Sequence, residues 1–333
     1  RLSAEEYVAG ILTGNRNILS RAITIIESTH PADRILANQI LDSILPFTGN
    51  TLRIGISGIP GVGKSTFIEA FGKYLTNLGK KIAVLAVDPS SSRSKGSILG
   101  DQTRMNQLSI DPLAYIRPSP NNLSLGGVTD HTRETILLCE AAGYELILVE
   151  TVGVGQAEIQ VREMTDFFLL LMLTGAGDEL QGIKKGIIEI ADLIAINKAD
   201  GGNLLQAQKE VIHYQNAIHY TAPARSGQNT HVMAISALTG KGIDQLWKLI
   251  EEYHTTTMQN GYFESNRQAQ HLQWMHLSIQ KKLMRLLYEN TAIQPLIHAV
   301  EQEVKIGAQL PIHAADKIIS DFISIISNTA QKQ

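Results

Sequence analysis

Between Ala4 and about Leu45 the apolar residues recur at helical spacing: Val8, Ile11 and Leu12, then Ile18, Ala22 and Ile26, then Leu36, Ile40 and Ile44. This pattern predicts two or three helices forming an N-terminal arm over residues 1–48. From Thr51 to Tyr253 short β-branched runs alternate with helix-like stretches, the pattern of βαβ units. The predicted strands are Arg53–Ser57, Ile82–Val87, Ala114–Ile116, Leu146–Glu150, Phe168–Leu173, Leu193–Asn197 and Val232–Ser236. Several are continuously apolar, as strands covered by helices on both faces should be, so the expectation is an α/β fold with a mostly parallel central sheet over residues 49–258. After Gly261 the helical pattern returns with Leu272, Met275, Ile279, Leu283 and Leu286, giving a C-terminal helical arm over 259–333. That stripe either packs on the chain's own core or pairs with a second copy as a dimerisation arm. No internal repeat is present, and the turn-prone stretch Pro223 to Asn229 reads as an exposed insert.

Composition narrows the function. The chain has 333 residues, 44% hydrophobic and 18% charged, as in a folded globular protein. A formal net charge of −3 argues against a generally basic nucleic-acid binder. The single Cys139 excludes an intrachain disulfide and a cysteine-cluster metal site, and it fits a reducing, cytoplasmic setting. The longest apolar run, Phe167 to Leu173, is far short of the roughly 20 residues of a membrane helix. The first residues show no signal-peptide pattern, and the absent initiator Met suggests that a few leading residues are missing.

The chemistry starts at Gly58-Ile59-Pro60-Gly61-Val62-Gly63-Lys64-Ser65, a full match to G-x-x-x-x-G-K-[ST] placed after a predicted strand and before a predicted helix. Glycines let backbone N–H groups converge on phosphate oxygens, and the helix N-terminus adds partial positive charge. Lys64 should reach the β- and γ-phosphates, while the Ser65 hydroxyl, followed by Thr66, can join a Mg²⁺ shell. Asp88 and Glu150 each end an apolar strand, where ligands bind in such sheets, and could face that Mg²⁺ directly or through water. Either could instead be an ordinary cap or turn residue. Asp101 lies in a polar loop and is the weaker candidate from its surroundings. The Ser90 to Gly100 stretch, with Arg93 and Lys95, suits a loop closing over a γ-phosphate as well as it suits an ordinary loop.

The base is addressed by Asn197-Lys198-Ala199-Asp200, an N-K-x-D pattern after a predicted strand. A carboxylate at Asp200 can accept hydrogen bonds from guanine N1–H and its exocyclic amine, whereas adenine would leave it unpaired. Lys198 can lay its stem along the base and Asn197 can brace neighbouring loops. Backbone N–H groups of Ser236-Ala237-Leu238 could meet guanine O6. Together these motifs point to GTP and GDP rather than ATP.

Two further loops carry switch character. In Glu150-Thr151-Val152-Gly153-Val154-Gly155-Gln156, Gln156 does not hold the D-x-x-G-Q register of Ras-like chains, so it receives no water-positioning role. Gly153 and Gly155 suit a loop that senses the γ-phosphate through its backbone. The stretch Gly175 to Gly186, containing Asp178, Gln181, Lys184 and Lys185, has too many glycines and charges for core. It is either a mobile switch or a long surface loop.

Gly58–Ser65, Val87-Asp88-Pro89-Ser90-Ser91, Gly96 to Asp101, Ile116-Arg117-Pro118-Ser119-Pro120, Glu150–Gln156, Gly175–Gly186 and Asn197–Asp200 together resemble the methylmalonyl-CoA mutase-associated GTPases of the MeaB/ArgK type, in the SIMIBI class of P-loop proteins. The resemblance covers nearly the whole chain. It implies a P-loop NTPase fold, a Mg²⁺ shell from Ser65, Asp88, Asp101 and Glu150, and a hydrolytic centre containing Lys64, Asp101 and Glu150. It also implies a third switch at Gly175–Gly186 and homodimers through C-terminal helices. The implied activity is that of a GTP-hydrolysing chaperone that binds an adenosylcobalamin-dependent mutase and gates cofactor loading and protection. Thr174 stands where the family has Pro, and the sequences around Asp130-His131 and Pro223–Asn229 look particular to this chain. Two other readings compete: an ATP-dependent kinase tied to lysine/arginine/ornithine transport, opposed by Asn197–Asp200, and a nickel-insertion GTPase, opposed by a lone cysteine in an apolar helix.

Overall fold

The computed structural model describes residues 2–87, 105–117, 128–151, 157–174, 185–218 and 226–330. Its centre is a seven-stranded sheet made of β1 (Leu52–Gly58), β2 (Ile82–Val87), β3 (Ala114–Arg117), β4 (Leu146–Thr151), β5 (Phe167–Leu173), β6 (Leu193–Asn197) and β7 (His231–Ala234). The order is β3-β2-β4-β1-β5-β6-β7, and every pairing is parallel. β1, β4, β5 and β6 are buried almost throughout, which is why they read as unbroken apolar runs. The expected strand positions hold within one or two residues. The last strand stops at Ala234 rather than Ser236, because the Ser236 N–H turns away to the Lys241 carbonyl.

Three helices precede the sheet: α1 (Ala4–Leu12), α2 (Arg16–Ile26) and α3 (Pro31–Ile44). Ser3 and Glu6 close a capping box on α1, and the Asn15 side chain caps α2. α2 and α3 bury their apolar stripes against α6 (Val128–Ala141), so the N-terminal helices belong to the sheet unit and do not stand apart as an arm. Arg16 ties them to the edge of the sheet by donating to the carbonyls of Asp111 (2.8 Å) and Ala114 (2.6 Å). Arg117 at the end of β3 pairs with Glu27 at 2.5 Å.

The helix α4 (Lys64–Asn77) follows β1 and packs with α10 (Ile243–Gln259) through the Phe67, Phe71 and Trp247 rings. A four-residue α5 (Asn106–Ser109) precedes β3, α7 (Ala157–Arg162) covers β4 and β1, α8 (Lys185–Glu189) leads toward β6, and α9 (Leu204–Ile218) covers β6 and β7. Cys139 is fully buried in α6, where burial pushes its thiol well above the usual range, as expected of a packing residue. Of the Pro223–Asn229 stretch, read as an exposed insert, Gly227 and Asn229 are exposed, whereas Ser226 is buried with its carbonyl held by the Asn260 side chain at 3.1 Å.

The chain forms two compact units, Arg1–Asn266 and Arg267–Gln333. The division lies inside α11 (Tyr262–Tyr288), C-terminal to the 258/259 boundary read from the pattern; no Gly or Pro follows Gly261 until Pro295, so the helix runs on through it. The second unit contains the rest of α11, α12 (Gln294–Lys305) and α13 (Pro311–Ala330), around a small core of Leu287, Ile293, Ile297 and Phe322. Among the described residues no helix is long and apolar enough to cross a membrane.

Candidate nucleotide site

The C-terminal edge of a parallel sheet collects the loops that leave each strand, so ligand groups gather there. Gly58 ends β1 in a position with no room for a side chain, since a Cβ would lie 2.5 Å from the Leu171 carbonyl oxygen. The loop then runs through buried Ile59 and Val62 and exposed Pro60 and Gly61 to Gly63. Gly63 has φ +93° and opens α4, and no side chain caps that helix. The first turn, Lys64-Ser65-Thr66, therefore presents backbone N–H groups that an anion can satisfy. The Lys64 Nζ donates to the Gly58 carbonyl at 2.7 Å and the Ile59 carbonyl at 3.3 Å, folding back along the loop it belongs to.

Asn197 joins this loop to the loops expected to read the base. Its Nδ2 donates to the Val62 carbonyl (2.8 Å), and its Oδ1 accepts the Ala237 N–H (3.0 Å). Lys198, at φ +61°, sends its Nζ to the Gly61 carbonyl at 2.9 Å. Asn197 thus bridges the loop through Val62 and the loop through Ala237 by two hydrogen bonds of ordinary length. Ser236 lies opposite Asp200: its hydroxyl donates to Asp200 Oδ2 at 2.5 Å and accepts the Thr239 N–H at 3.2 Å. Reading the sequence brings out only the backbone of 236–238 and misses this side-chain pairing; a hydroxyl next to an N-K-x-D carboxylate was the available signal. The N–H groups of Ser236 and Ala237 are taken by Lys241 and Asn197, so a base oxygen would have to compete for them, while Leu238 is 79% exposed.

Glu150 sits on β4 in register with Ile56 of β1, and is 5% exposed. Asp88, Asp101, Gly153, Gln156, Asp178, Gln181 and Lys184 lie outside the described residues, as does the side chain of Lys185, whose backbone opens α8. The structure therefore brings together Gly58–Thr66, Asn197–Asp200 and Ser236–Leu238, with Glu150 on the strand next to β1.

A phosphate loop between β1 and α4 of an all-parallel sheet, stapled to an Asn-Lys-x-Asp loop, defines a P-loop GTPase. The model of one family, the methylmalonyl-CoA mutase-associated GTPase MeaB, matches residues 19–292, and the chain belongs to this family. Among relatives, GTPase ArgK of Escherichia coli is 45% identical over 285 residues, covering 86% of each chain. The mitochondrial methylmalonic aciduria type A homolog of Mus musculus is 44% identical over 330 residues, covering 96% of this chain and 80% of its own. A solved structure of a LAO/AO transport system kinase is 37% identical with a TM-score of 0.76, covering 96% of this chain and 97% of that one.

Proposed function

We propose that this GTPase is a chaperone for an adenosylcobalamin-dependent mutase of the methylmalonyl-CoA type, working in the cytoplasm as a homodimer and gating the loading and protection of the mutase cofactor. The observation that supports it most is the pairing of a guanine-type base loop with the phosphate loop through Asn197, in a chain whose family takes its description from that mutase. In this reading Lys64 holds the β- and γ-phosphates, the N–H groups of Gly61 to Thr66 cradle them, and Asp200 selects guanine. Lys198 lays its aliphatic stem along the base. Gly153, Gln156 and the 175–186 stretch, with Asp178, Gln181, Lys184 and Lys185, carry the nucleotide state to the partner.

The donors suit Mg²⁺. Ser65 in the first turn of α4 and the buried carboxylate of Glu150 are hard oxygen ligands, to be joined by Asp88 and Asp101. When bound, Mg²⁺ would neutralise negative charge on the triphosphate. The protein's own share is to hold the triphosphate along the α4 N-terminus, to place Lys64 and to keep the Glu150 carboxylate dry and fixed.

A second reading, an ATP-dependent kinase, draws on the name carried by the similar transport-system structure. The Asn197–Asp200 loop speaks for guanine instead. The deciding experiment measures GTP turnover with and without an adenosylcobalamin-dependent methylmalonyl-CoA mutase. Stimulation of roughly tenfold is expected, the scale of ordinary coupling between sites. Unchanged turnover together with unchanged cofactor loading would sink the chaperone reading.

A further inference from the structure

The tips of β1 and β4 carry a buried pair of hydroxyls in a largely apolar sheet, whose other buried polar groups include Arg53, Glu150 and Asn197. Thr151 Oγ1 donates to Ser57 Oγ at 2.9 Å, and the two residues are 0% and 1% exposed. Their neighbours along the strands, Ile54 and Ile56 on one and Leu146 to Val149 on the other, are the aliphatic residues that a doubly covered parallel sheet favours. Valine or alanine would fill these two positions without any hydroxyl to satisfy. Burying hydroxyls is tolerated only when they bond, so this pair is a specific link and not a filler.

The position of the link gives it a task. The register of β1 with β4 ends at Ile56 opposite Glu150, and the hydroxyl pair lies one residue beyond, where the ladder gives way to loops. Ser57 is followed by Gly58, whose carbonyl accepts from Lys64 Nζ. Thr151 is preceded by Glu150 and pairs on its other side with Val87 of β2. This buried hydrogen bond thus carries the β1–β4 pairing one residue past the ladder, between the strand end that carries Glu150 and the strand end that starts the phosphate loop. Side chains alternate along a strand, so Glu150 itself points to the other face and its aim depends on the backbone the link holds.

We propose that Thr151, acting through Ser57, is a positioning residue that sets the Glu150 carboxylate against the phosphate loop for Mg²⁺-dependent nucleotide retention. The proposal rests on the reading of Glu150 as a metal ligand. Its larger effect falls on the metal-loaded state, because the link meets only the start of the phosphate loop, at Ser57, while the N–H groups of Gly61 to Thr66 and the base loops are built from other residues.

The test follows release of a fluorescent GDP from the full chain in Mg²⁺ and in EDTA, alongside GTP turnover. In Thr151→Val the slowing of release by Mg²⁺ should shrink by about fivefold, the scale of one buried hydrogen bond, while release in EDTA stays within about twofold of the parent. Ser57→Ala should reproduce this, and Thr151→Ser, which keeps the hydroxyl, should restore the slowing. Full Mg²⁺ slowing in both Thr151→Val and Ser57→Ala overturns the proposal. So does an equal change in EDTA and Mg²⁺, or no restoration by Thr151→Ser. Glu150→Gln separates the two levels: if it keeps the full Mg²⁺ effect, the ligand reading fails and the proposal with it; if it loses the effect while Thr151→Val does not, only the proposal fails.

Discussion

Asp200 shows how much one carboxylate can decide. Its Oδ2 is already held by the Ser236 hydroxyl, which in turn is held by the Thr239 N–H. The carboxylate is thereby oriented before any base arrives, and pre-orientation lowers the entropy that binding must overcome. Guanine offers two N–H donors to it, whereas adenine offers a lone pair. In Asp200→Asn an amide replaces one acceptor with a donor, which repels the guanine edge. The expected outcome is a fall in guanine preference of about 100-fold or more, the scale of losing hydrogen bonds to a charged partner. Competition of GTP and of ATP against bound fluorescent GDP measures it, and unchanged selectivity would remove Asp200 from the base site. Gly63 illustrates the same economy of space: it combines a left-handed φ with a Cβ position only 3.0 Å from Asn197 Nδ2, so a side chain there would strain the loop and press on its brace.

At the scale of elements, α4 is more than a phosphate support. Residues one turn apart on one of its faces all hold the segment that leads into β3. Glu69 accepts the N–H groups of Gln107 (2.8 Å) and Leu108 (3.3 Å), capping α5. A Cβ on Gly72 would meet Leu108 at 2.6 Å, so that helix can approach closely only at glycine. Lys73 and Thr76 both donate to Asp111 Oδ2, at 2.6 and 2.8 Å. Burial works to raise the Asp111 carboxyl, but the hydrogen bonds from Lys73, the Leu113 N–H and Thr76 outweigh it and hold it down at about 2, against an ordinary 3.8. A carboxyl depressed in the folded state stabilises above its unfolded pKa, and that contribution fades as pH falls from about 4 toward 2. Lys73→Met should therefore cost about 1–2 kcal/mol at pH 7. In urea titrations the gap between parent and variant should be full at pH 7 and narrow below about pH 4; a gap that does not change with pH would mean that Lys73 acts through packing alone.

These contacts also mark where sequence reading stops. The strands of the sheet were legible because burial on both faces turns them into apolar runs such as Phe167–Leu173, and the phosphate and base motifs were legible because their chemistry demands fixed local spacing. The buried Arg53–Glu140 pair at 2.7 Å, the Ser57–Thr151 link and the Glu69 cap join residues between 38 and 94 positions apart. Nothing local announces them, since the partner of each side chain lies in a distant stretch of the sequence. The division between the two units inside α11 escapes the pattern for a related reason, because Gly261 reads as a stop but serves only to turn from α10 into the next helix.

At the scale of the molecule, the second unit has too little interior to account for its apolar content. Its buried cluster is Leu287, Ile293, Ile297 and Phe322, flanked by Leu296, Ile318 and Ile325. Meanwhile Leu272, Met275, Ile279, Leu283 and Leu286 line α11 at 46–59% exposure, and Ile312, Ile319, Ile323 and Ile326 leave a second exposed set along α13. Spacings of three and four residues put the first set on one helix face, the seam by which helices pair. A stripe of that length exceeds the scattered apolar residues of ordinary monomer surfaces. The occupant proposed for it, in keeping with the homodimer reading, is a second copy of the chain, which would present the same stripe to itself across a twofold axis. Burying an Ile or Leu contributes roughly 1.5–3 kcal/mol, and a carboxylate in its place would have to be desolvated. Ile279→Glu combined with Leu283→Glu should therefore raise the dimer dissociation constant by at least about 100-fold. Sedimentation equilibrium at micromolar concentration would show the parent at twice the chain mass and the variant at one chain mass. GDP affinity should be unchanged, because both substitutions lie outside the nucleotide loops. A parent that sediments as a single chain would rule out self-pairing through this stripe.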